Sequence, residues 1–356
     1  MDPLAVSGIG IVCPRAFGRE EWVRAFTTGH PEERVYRVPD FALEAFLPNA
    51  RSFRRVAGAT KFGLAAMALA VTDAGFSPGA FGGERAGLIV GITHGAVNYS
   101  VQFHRTLLLE GALGASPLHF SESVPNAPAG NGAIAFQIHG PVHTLIGEEP
   151  VGAQAIDCAA DLLRRGLVDR CLVVGTEEWN EVVAHAYAQI DRAARRRAGS
   201  DDAPPLGEGA AALVLELEST AACRGTTPCA VISGWSLGRC FAGRMEEGTA
   251  GIVRRAFSEA LHLAEADHVL PPTGRFRRAA MRGVVSARGE GANPPNWLDL
   301  LPFVGNPAGS TNLLQVASSA SLISTGTVAG PGLALTTGVE GTVSAVVVSR
   351  ADAVRA

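Results

Sequence analysis

PLGEGAAALVLELES, residues 205–219, is the most informative segment of this chain for its fold. It begins with two glycines, Gly207 and Gly209, on either side of an acidic residue, a composition typical of a tight turn. The short apolar run at 210–217 then predicts a buried strand. A turn that leads directly into a buried strand is typical of α/β proteins, whose sheets are covered by helices.

Short runs rich in Val, Ile and Leu alternate with alanine-rich helical stretches on both sides of this segment. The alternation predicts a largely parallel sheet with helices on both faces. A polar stretch of small residues at 219–228 divides the chain into two unequal parts. The predicted strands are 4–12, 86–92, 171–174, 210–217, 230–234, 283–287 and 342–349, and the predicted helices are 61–74, 151–165 and 249–264.

The composition argues against several classes of protein. The 356 residues are 47% apolar and carry a formal net charge of −4, which is unlike a general nucleic-acid binder. No uninterrupted run of roughly 18 apolar residues is present, so we expect no membrane span. The first residues, MDPLAVSGIGIVCP, lack a basic leader followed by a long apolar segment. We therefore expect a cytoplasmic protein rather than a secreted one.

The cysteines give no sign of a disulfide framework or a metal site. None of them forms a CxxC pair, and no Cys/His spacing is typical of zinc. We expect reduced thiols, no metal and no cofactor. The six cysteines are Cys13, Cys158, Cys171, Cys223, Cys229 and Cys240.

Five ordered segments of the chain carry a common resemblance. They are VSGIGIVCP (6–14), LIVGITHG (88–95), PNAPAGNGAIAF (125–136), VDRCLVVGTEEW (168–179) and PLGEGAAALVLELES (205–219). Together, in this order and at this spacing, they resemble the β-ketoacyl synthases of the thiolase-like fold over nearly the whole chain. The last segment is the most specific match. ACRGTTPCAVISG (222–234) resembles the start of the second half of these enzymes.

The resemblance implies a five-layered α/β/α/β/α fold of two related halves, usually found as a dimer. We place these halves at residues 1–222 and 223–356. The second half is shorter than the family leads us to expect, which predicts trimmed loops.

Three positions carry unexpected residues where the resemblance implies catalytic ones. The family's nucleophilic cysteine follows a Gly-Pro segment and opens a buried helix, and GPVHTLIGEEPVGAQ (140–154) places Glu149 there. The two histidines that polarise a thioester and assist malonyl decarboxylation correspond to Arg288 and Asn306. Arginine is permanently cationic and asparagine does not titrate, so neither replaces a histidine. A carboxyl group is also a poor acyl carrier, because the mixed anhydride hydrolyses readily.

The substitutions suggest an ion pair in the place of the catalytic residues. If Glu149 and Arg288 face each other, a charge-assisted pair satisfies two otherwise costly buried charges. The pKa of Glu149 is then lowered. In the alternative interpretation, Arg288 points to solvent and Glu149 is a capping carboxylate at the helix start.

Other reactive residues have plainer interpretations. Cys158 is expected in the core, and Cys240 is a weak candidate for a substitute nucleophile. The pair Glu177 and Glu178 suggests acid–base chemistry, but a structural turn fits the resemblance better. The final glycine-rich turn, TTGVEG (336–341), lacks the aromatic residues that gate the site in the family.

Two segments are candidates for partner contacts. The amphipathic stretch 98–111 resembles the family region near the dimer interface and the acyl tunnel, and its alternative is plain interface packing. The basic run at 191–202 suggests docking to an acidic acyl carrier protein, and its alternative is a solvated surface. The tunnel candidates are Val101, Phe103, His104 and Leu108, and the docking candidates are Arg192, Arg195, Arg196 and Arg197.

The resemblance is strongest to the chain-length factors, family members without the catalytic cysteine that pair with an active β-ketoacyl synthase. The leading hypothesis is such a non-catalytic subunit, whose complex acts as a β-ketoacyl-[acyl carrier protein] synthase in type II polyketide, aryl-polyene or fatty-acid-like biosynthesis. One alternative is an enzyme in which Glu149 drives decarboxylation or acyl transfer on carrier-bound substrates. Another is a homodimeric protein that binds an acyl chain.

Overall fold

The computed structural model describes residues 3–29, 31, 35–198, 205–257, 266–273, 276–289 and 293–351, without the side chains of residues 78, 191–198 and 242. Its strands are β1 (Leu4–Cys13), β2 (Ala16–Phe17), β3 (Ala86–Ile92), β4 (Val142–Ile146), β5 (Arg170–Glu177), β6 (Gly209–Leu217), β7 (Ala230–Arg239), β8 (His268–Leu270), β9 (Asn296–Trp297), β10 (Gly332–Thr337) and β11 (Thr342–Ser349). Its helices are α1 (Arg19–Thr27), α2 (Gly58–Asp73), α3 (Pro78–Phe81), α4 (Val97–Glu110), α5 (Pro117–Ser123), α6 (Ala127–Phe136), α7 (Val151–Arg164), α8 (Glu181–Ala198), α9 (Glu218–Cys223), α10 (Met245–Ala256), α11 (Arg277–Arg288), α12 (Leu301–Val304) and α13 (Thr311–Ser324).

The sheet is mixed, so the expectation of a largely parallel sheet is wrong, and its strand order contains the same five-stranded pattern twice. In the first copy, β3 is parallel to β4 and β5, and β5, β6 and β1 follow antiparallel to one another. In the second copy, β8 is parallel to β9 and β10, and β10, β11 and β7 follow antiparallel. The copies join where β1 pairs with β7, so the order is β4-β3-β5-β6-β1-β7-β11-β10-β8-β9. The two related halves expected from the resemblance are confirmed, whereas the boundary at residue 222 stays a prediction.

Three apolar cores separate the layers. The central core holds α7 and α13, which contact each other and the inner faces of strands from both halves. A second core packs α2 and α6 on the outer face of the first-half strands. A third packs α10 and α11 on the outer face of the second-half strands. This arrangement of helices and strands is the expected α/β/α/β/α architecture.

Helix α13 is buried from Thr311 to Ile323, although it carries several polar residues. Two of its serines bond within the helix, since Ser318 donates to the Leu314 carbonyl oxygen and Ser321 to that of Ala317, both at 2.6 Å. Polar side chains bonded in this way can be buried at little cost. The result is a rigid central helix whose first residues lie beside α7.

The turn at 205–209 connects distant parts of the first half with each other and with the second half. A side chain at Gly207 would overlap the Val304 carbonyl oxygen, and Gly209 has a φ of 149° that disfavours other residues. Between them, the Glu208 carboxylate accepts the backbone N–H of Val38 at 2.9 Å and that of Trp179 at 2.8 Å. The glycine-rich composition of this turn therefore has a steric cause.

The strand expected at 283–287 is wrong, because these residues lie within α11. Ala280, Gly283 and Val284 recur at helical spacing and form its buried face. The strand of this region is β8, which lies earlier in the chain. The helix expected at 249–264 ends at Ala256, and residues 258–265 lie outside the described ones. In the described part of the chain, no helix has the length and apolar character to cross a bilayer.

Candidate functional site

Glu149 lies in the turn that joins β4 to α7. The Gly147 N–H donates to the Ile92 carbonyl oxygen at 3.0 Å, and the Val151 N–H donates to that of Glu148 at 2.8 Å. Pro150 directly precedes Val151, the first residue of α7. Glu149 itself has no solvent-exposed surface. A carboxyl group is thus held inside the protein at the amino end of α7.

The side chain of Glu149 meets an amide and a phenol. Its Oε1 accepts from Asn306 Nδ2 and from the Tyr187 hydroxyl, each at 3.5 Å, and its Oε2 has no hydrogen-bond partner among the described residues. Asn306 is fixed in turn by the hydroxyls of Thr273 and Thr311, which both donate to its Oδ1 at 3.1 Å. The structure therefore brings Glu149 and Asn306 together, as the sequence positions suggested.

The environment of Glu149 favours its neutral form. Burial raises the pKa of Glu149 to about 7, and the carboxylate of Glu148 acts in the same direction. Nearby hydrogen bonds, including the one from Asn306, act in the opposite direction without offsetting burial. The expected lowering of this pKa is therefore wrong, because the positive end of α7 is outweighed by the loss of water.

The expected pair between Glu149 and Arg288 is also wrong. Arg288 is the last residue of α11, and its Nη1 donates to the Ala266 carbonyl oxygen at 2.8 Å. Among the described residues, no ion pair joins Arg288 to Glu149, and Arg288 does not contribute to the shifted pKa. The misplacement follows from the strand that was wrongly expected at 283–287. Thr273, in the segment after β8, lies closer to the site through its contact with Asn306.

Tyr187 and His94 extend the polar chain from Glu149, and the sequence pattern did not single them out together. The Tyr187 hydroxyl lies 3.1 Å from His94 Nε2. Burial and the carboxylates of Glu149 and Glu177 raise the pKa of Tyr187, so its hydroxyl stays protonated and can donate. Burial lowers the pKa of His94. A neutral His94 that donates to Tyr187 completes a run of hydrogen bonds to Glu149.

Glu177, at the end of β5, holds the loop that carries His94. Its carboxyl group accepts the backbone N–H groups of Thr93, His94 and Gly95, the last two at 3.0 Å. Burial raises the pKa of Glu177 to about 7 despite these three bonds. The contacts fit the structural interpretation of the Glu177–Glu178 pair, because every donor to Glu177 is backbone of the loop after β3.

Glu148 fastens the turn between β10 and β11 over Glu149. Its carboxylate accepts the Glu340 N–H at 3.0 Å and the Thr342 hydroxyl at 2.8 Å. A side chain at Gly338 would overlap this carboxylate, so the turn approaches closely only because residue 338 is glycine. The close contact with Glu148 therefore explains why residue 338 of the final glycine-rich turn is glycine.

Burial disfavours the thiolate form of five cysteines. Burial raises the pKa of Cys13, Cys158, Cys171, Cys229 and Cys240. Cys223 is exposed on α9. None of the described cysteines lies at the amino end of α7, where the helix would favour a thiolate.

The α4–α5 hairpin and strand β4 present apolar side chains to solvent. Leu108 is 84% exposed on α4 and Ile146 is 63% exposed on the edge strand. Phe103 instead packs on Phe120 of α5, with ring centroids 5.4 Å apart. Val101, His104 and Leu108 line a shared surface groove on α4. The four tunnel candidates thus lie on a helix that has no buried residue of its own.

The docking candidates Arg192, Arg195, Arg196 and Arg197 lie on the last two turns of α8. Their side chains are outside the described residues. Their role in docking stays a prediction.

Comparisons with known proteins address the family directly. The model of the β-ketoacyl synthase N-terminal domain matches residues 30–221, more than half of the chain. The chain is 25% identical over 270 residues to a 3-oxoacyl-[acyl-carrier-protein] synthase 2 of Rhizobium meliloti (strain 1021), covering 67% of this chain and 64% of that protein. The chain thus spans less than two thirds of this relative's length.

Solved structures share the whole fold. The ishigamide ketosynthase/chain length factor matches with a TM-score of 0.80 and 19% identity, over 98% of this chain and 99% of that one. A type II PKS acyl-carrier protein in complex with its ketosynthase, bound to the hexaketide, includes a chain that matches with a TM-score of 0.80 and 17% identity, again over 98% and 99%. At such identities the likeness establishes the thiolase-like fold alone. With the sequence match over residues 30–221, the chain belongs to the β-ketoacyl synthase family.

Proposed function

We propose that this chain is a non-catalytic subunit that pairs with an active β-ketoacyl synthase, in the manner of a chain-length factor. The observation that carries the proposal is Glu149, a buried carboxyl group at the amino end of α7. This is the position at which the family resemblance implies the nucleophilic cysteine. Asn306, at one of the positions assigned to a histidine, does not titrate, and its neighbour in the site is Thr273 rather than Arg288.

The chemistry at Glu149 supports the absence of acyl transfer. With a pKa of about 7, the group is partly neutral at physiological pH, and a neutral carboxyl is a weak nucleophile. Its contact with Asn306 and the latch of Glu148 on the overlying turn leave it enclosed. No described thiol at the amino end of α7 takes its place.

The exposed apolar face supports a partner. Leu108 on α4 and Ile146 on β4 are both largely exposed, and a partner that covers such apolar side chains would remove them from water. Among the described strands, β4 lies at the edge of the sheet and pairs only with β3, so its other side is open to a partner. Covering this face with an active ketosynthase subunit buries both features in one interface, as expected of obligate partners.

Within such a complex, α4 would line the tunnel that receives the growing acyl chain. Val101, His104 and Leu108 share one groove, and the length of product would be set where bulky side chains stop the chain. The basic end of α8, from Arg192 to Arg197, would help to dock an acyl carrier protein. We place the complex in the cytoplasm, in type II polyketide, aryl-polyene or fatty-acid-like biosynthesis.

Co-expression with a cysteine-bearing ketosynthase encoded near this chain tests the proposal. A stable 1:1 complex by size-exclusion chromatography with light scattering is expected. Bulky replacements such as Val101→Trp are expected to shorten the products, because they narrow the groove on α4, and mass spectrometry measures the change. If the chain purifies only as a homodimer and does not bind the ketosynthase, the result would favour the homodimeric acyl-binding protein instead.

A second candidate function is decarboxylation of a carrier-bound malonyl group. Two observations favour it: Glu149 contacts the Tyr187 hydroxyl, and the pKa of Glu149 is about 7. When the malonyl carbon–carbon bond breaks and CO2 leaves, a neutral Glu149 can give its proton to the remaining carbanion. Release of CO2 by the isolated chain, lost in Glu149→Gln, would support this enzyme over the non-catalytic subunit.

A further inference from the structure

A cavity on the second half carries an unbalanced positive charge. It has a volume of about 400 Å³, at the small end of ligand sites, and lies between the end of β7 and helix α10. Three arginines line or border it, Arg239, Arg244 and Arg255. The site around Glu149 does not include this cavity.

Two of the three arginines are neutralised at the rim. Arg239 pairs with Glu340 at 2.9 Å, and Arg244 pairs with Glu247 at 3.0 Å. Both pairs are largely exposed, so water and salt weaken them and an incoming anion can compete. The remaining positive charge is that of Arg255.

Arg255 has no carboxylate partner among the residues that the structure describes. Its Nε donates to the Ser236 hydroxyl at 3.3 Å, and its two Nη atoms have no hydrogen-bond partner in the described part of the chain. Side chains at Gly238 and Gly251 would each lie 3.6 Å from an Nη atom, so glycines on both sides leave the fork uncovered. Four N–H donors of Arg255 are therefore available to a planar or tetrahedral anion.

An aromatic ring stands at the mouth of this cavity. Phe241 is 83% exposed, although it follows directly after the buried Cys240. An anion with an apolar group attached would place its charge on Arg255 and its apolar part on Phe241. A phosphate ester has this chemistry and can bridge more than one guanidinium, which a carboxylate does less well.

We propose that this cavity is a binding site for a phosphate ester, with Arg255 as the principal contact and Phe241 as the apolar one. The cavity is also joined to the turn that covers Glu149. Arg239 pairs with Glu340 of that turn, and the Cys240 N–H donates to the Gly341 carbonyl oxygen at 2.8 Å. A ligand that draws Arg239 away from Glu340 would thus loosen one anchor of the turn.

Titration calorimetry of the full chain with phenyl phosphate tests the site, with phenol as the control that lacks the phosphate. We expect phenyl phosphate to bind and phenol to bind at least about tenfold more weakly. Arg255→Ala should weaken phenyl phosphate at least about tenfold, the loss of one charge-assisted contact. Arg254→Ala is the matched control, because its side chain lies on the same helix but donates to the Ser286 carbonyl oxygen at 3.2 Å.

Equal losses in the two variants, or no binding of phenyl phosphate to the unaltered chain, would overturn the proposal. Thermal unfolding of both variants excludes a folding defect as the cause. Inorganic phosphate bound as tightly as phenyl phosphate would support the anion site on Arg255 and overturn the contact with Phe241.

The phosphate could belong to a free small molecule or to the prosthetic arm of an acyl carrier protein. Carrier protein with and without its phosphate-linked arm separates these sources in the same assay. Only the measurement with carrier protein rests on the proposed function, whereas the measurement with phenyl phosphate does not. Binding of phenyl phosphate with no response to either carrier would support the site and assign it to a free ester, whatever the outcome of the co-expression experiment.

Discussion

The two halves share one strand order but differ at their outer edges. In the first half the edge strand β4 has five residues, and an exposed apolar hairpin, α4–α5, joins it to β3. In the second half the matching strand β9 has two residues, and the matching connection contains the arginine-rich α11. The duplication preserved the central layers, where packing leaves little freedom, and let the edges diverge. Partner binding is therefore expected on the first half only.

The largest expected effect is a loss of affinity for a ketosynthase when the apolar edge of the first half is changed. Leu108→Asp combined with Ile146→Lys should weaken the complex with a ketosynthase by about 100-fold or more, because charges would be buried in an apolar interface. Analytical ultracentrifugation of the mixed subunits measures the affinity. Val285→Asp, on exposed α11 of the second half, is the matched control and should change it by less than about twofold. Similar losses from both changes would refute the assignment of the interface to the first half.

In both halves a glycine of a central strand lies against a carbonyl oxygen of an outer helix. Gly10 in β1 lies against the Ala66 carbonyl oxygen of α2, and Gly234 in β7 lies against that of Ala256 in α10. Either glycine replaced by alanine should lower the free energy of unfolding by about 3 kcal/mol, since a methyl group would overlap backbone. Urea unfolding measures it. Gly130→Ala, with no atom near the added methyl group, should not destabilise the chain, and a loss there would point to a general intolerance of substitution.

Glu149, one of the buried acids of the first half, makes the stability of the chain depend on pH. The pKa of Glu149 is about 7 in the folded chain and near its ordinary value of 4.5 in the unfolded one. The stability that this group contributes is complete below pH 4.5 and is lost as the pH rises through 7. Glu149→Gln should therefore raise the free energy of unfolding at pH 8 by about 2 kcal/mol relative to its effect at pH 5. Urea unfolding at both values tests this, and the exposed Glu44→Gln should keep the original profile.

The second half should respond to pH in the opposite direction, with a smaller effect. His268 is buried in β8, with its Nε2 2.9 Å from the Ser319 hydroxyl, and burial lowers its pKa to about 4. Its contribution is complete above the ordinary pKa of 6.5 and is lost as the pH falls toward 4. Between pH 6.5 and 5.5 we expect a loss of about 1 kcal/mol that disappears in His268→Gln. If His268→Gln leaves the pH dependence of the free energy of unfolding unchanged, His268 is not the group responsible for it.

The sequence predicted the fold well where strands are continuous apolar runs. The bounds expected for β3 and β11 match the structure, because β-branched residues buried on both faces leave little doubt. It failed in α11, where Gly-Val-Val within an arginine-rich helix looked like a strand. A short apolar run does not by itself distinguish a strand from one face of a helix.

The sequence predicted only those site residues that lie at motif positions. Glu149 and Asn306 follow from the motif positions, and they meet in the structure. Arg288 was misplaced with the strand that was expected to carry it. Tyr187 could not be found from local pattern, because α8 reaches Glu149 only through the tertiary fold, and the same holds for the contact of Glu148 with the β10–β11 turn. Long-range contacts of single polar side chains leave no periodic trace in a sequence.

Whether the purified chain forms carbon–carbon bonds decides between a non-catalytic subunit and a condensing enzyme. The assay supplies an acyl-carrier and a malonyl-carrier substrate to the chain alone, to its complex with a ketosynthase and to the complex with Glu149→Ala, and mass spectrometry follows the products. We expect no elongated product from the chain alone, and elongation by both complexes at rates within about twofold of each other, since Glu149 takes no part in condensation. Elongated product from the chain alone, lost in Glu149→Ala, would contradict the account.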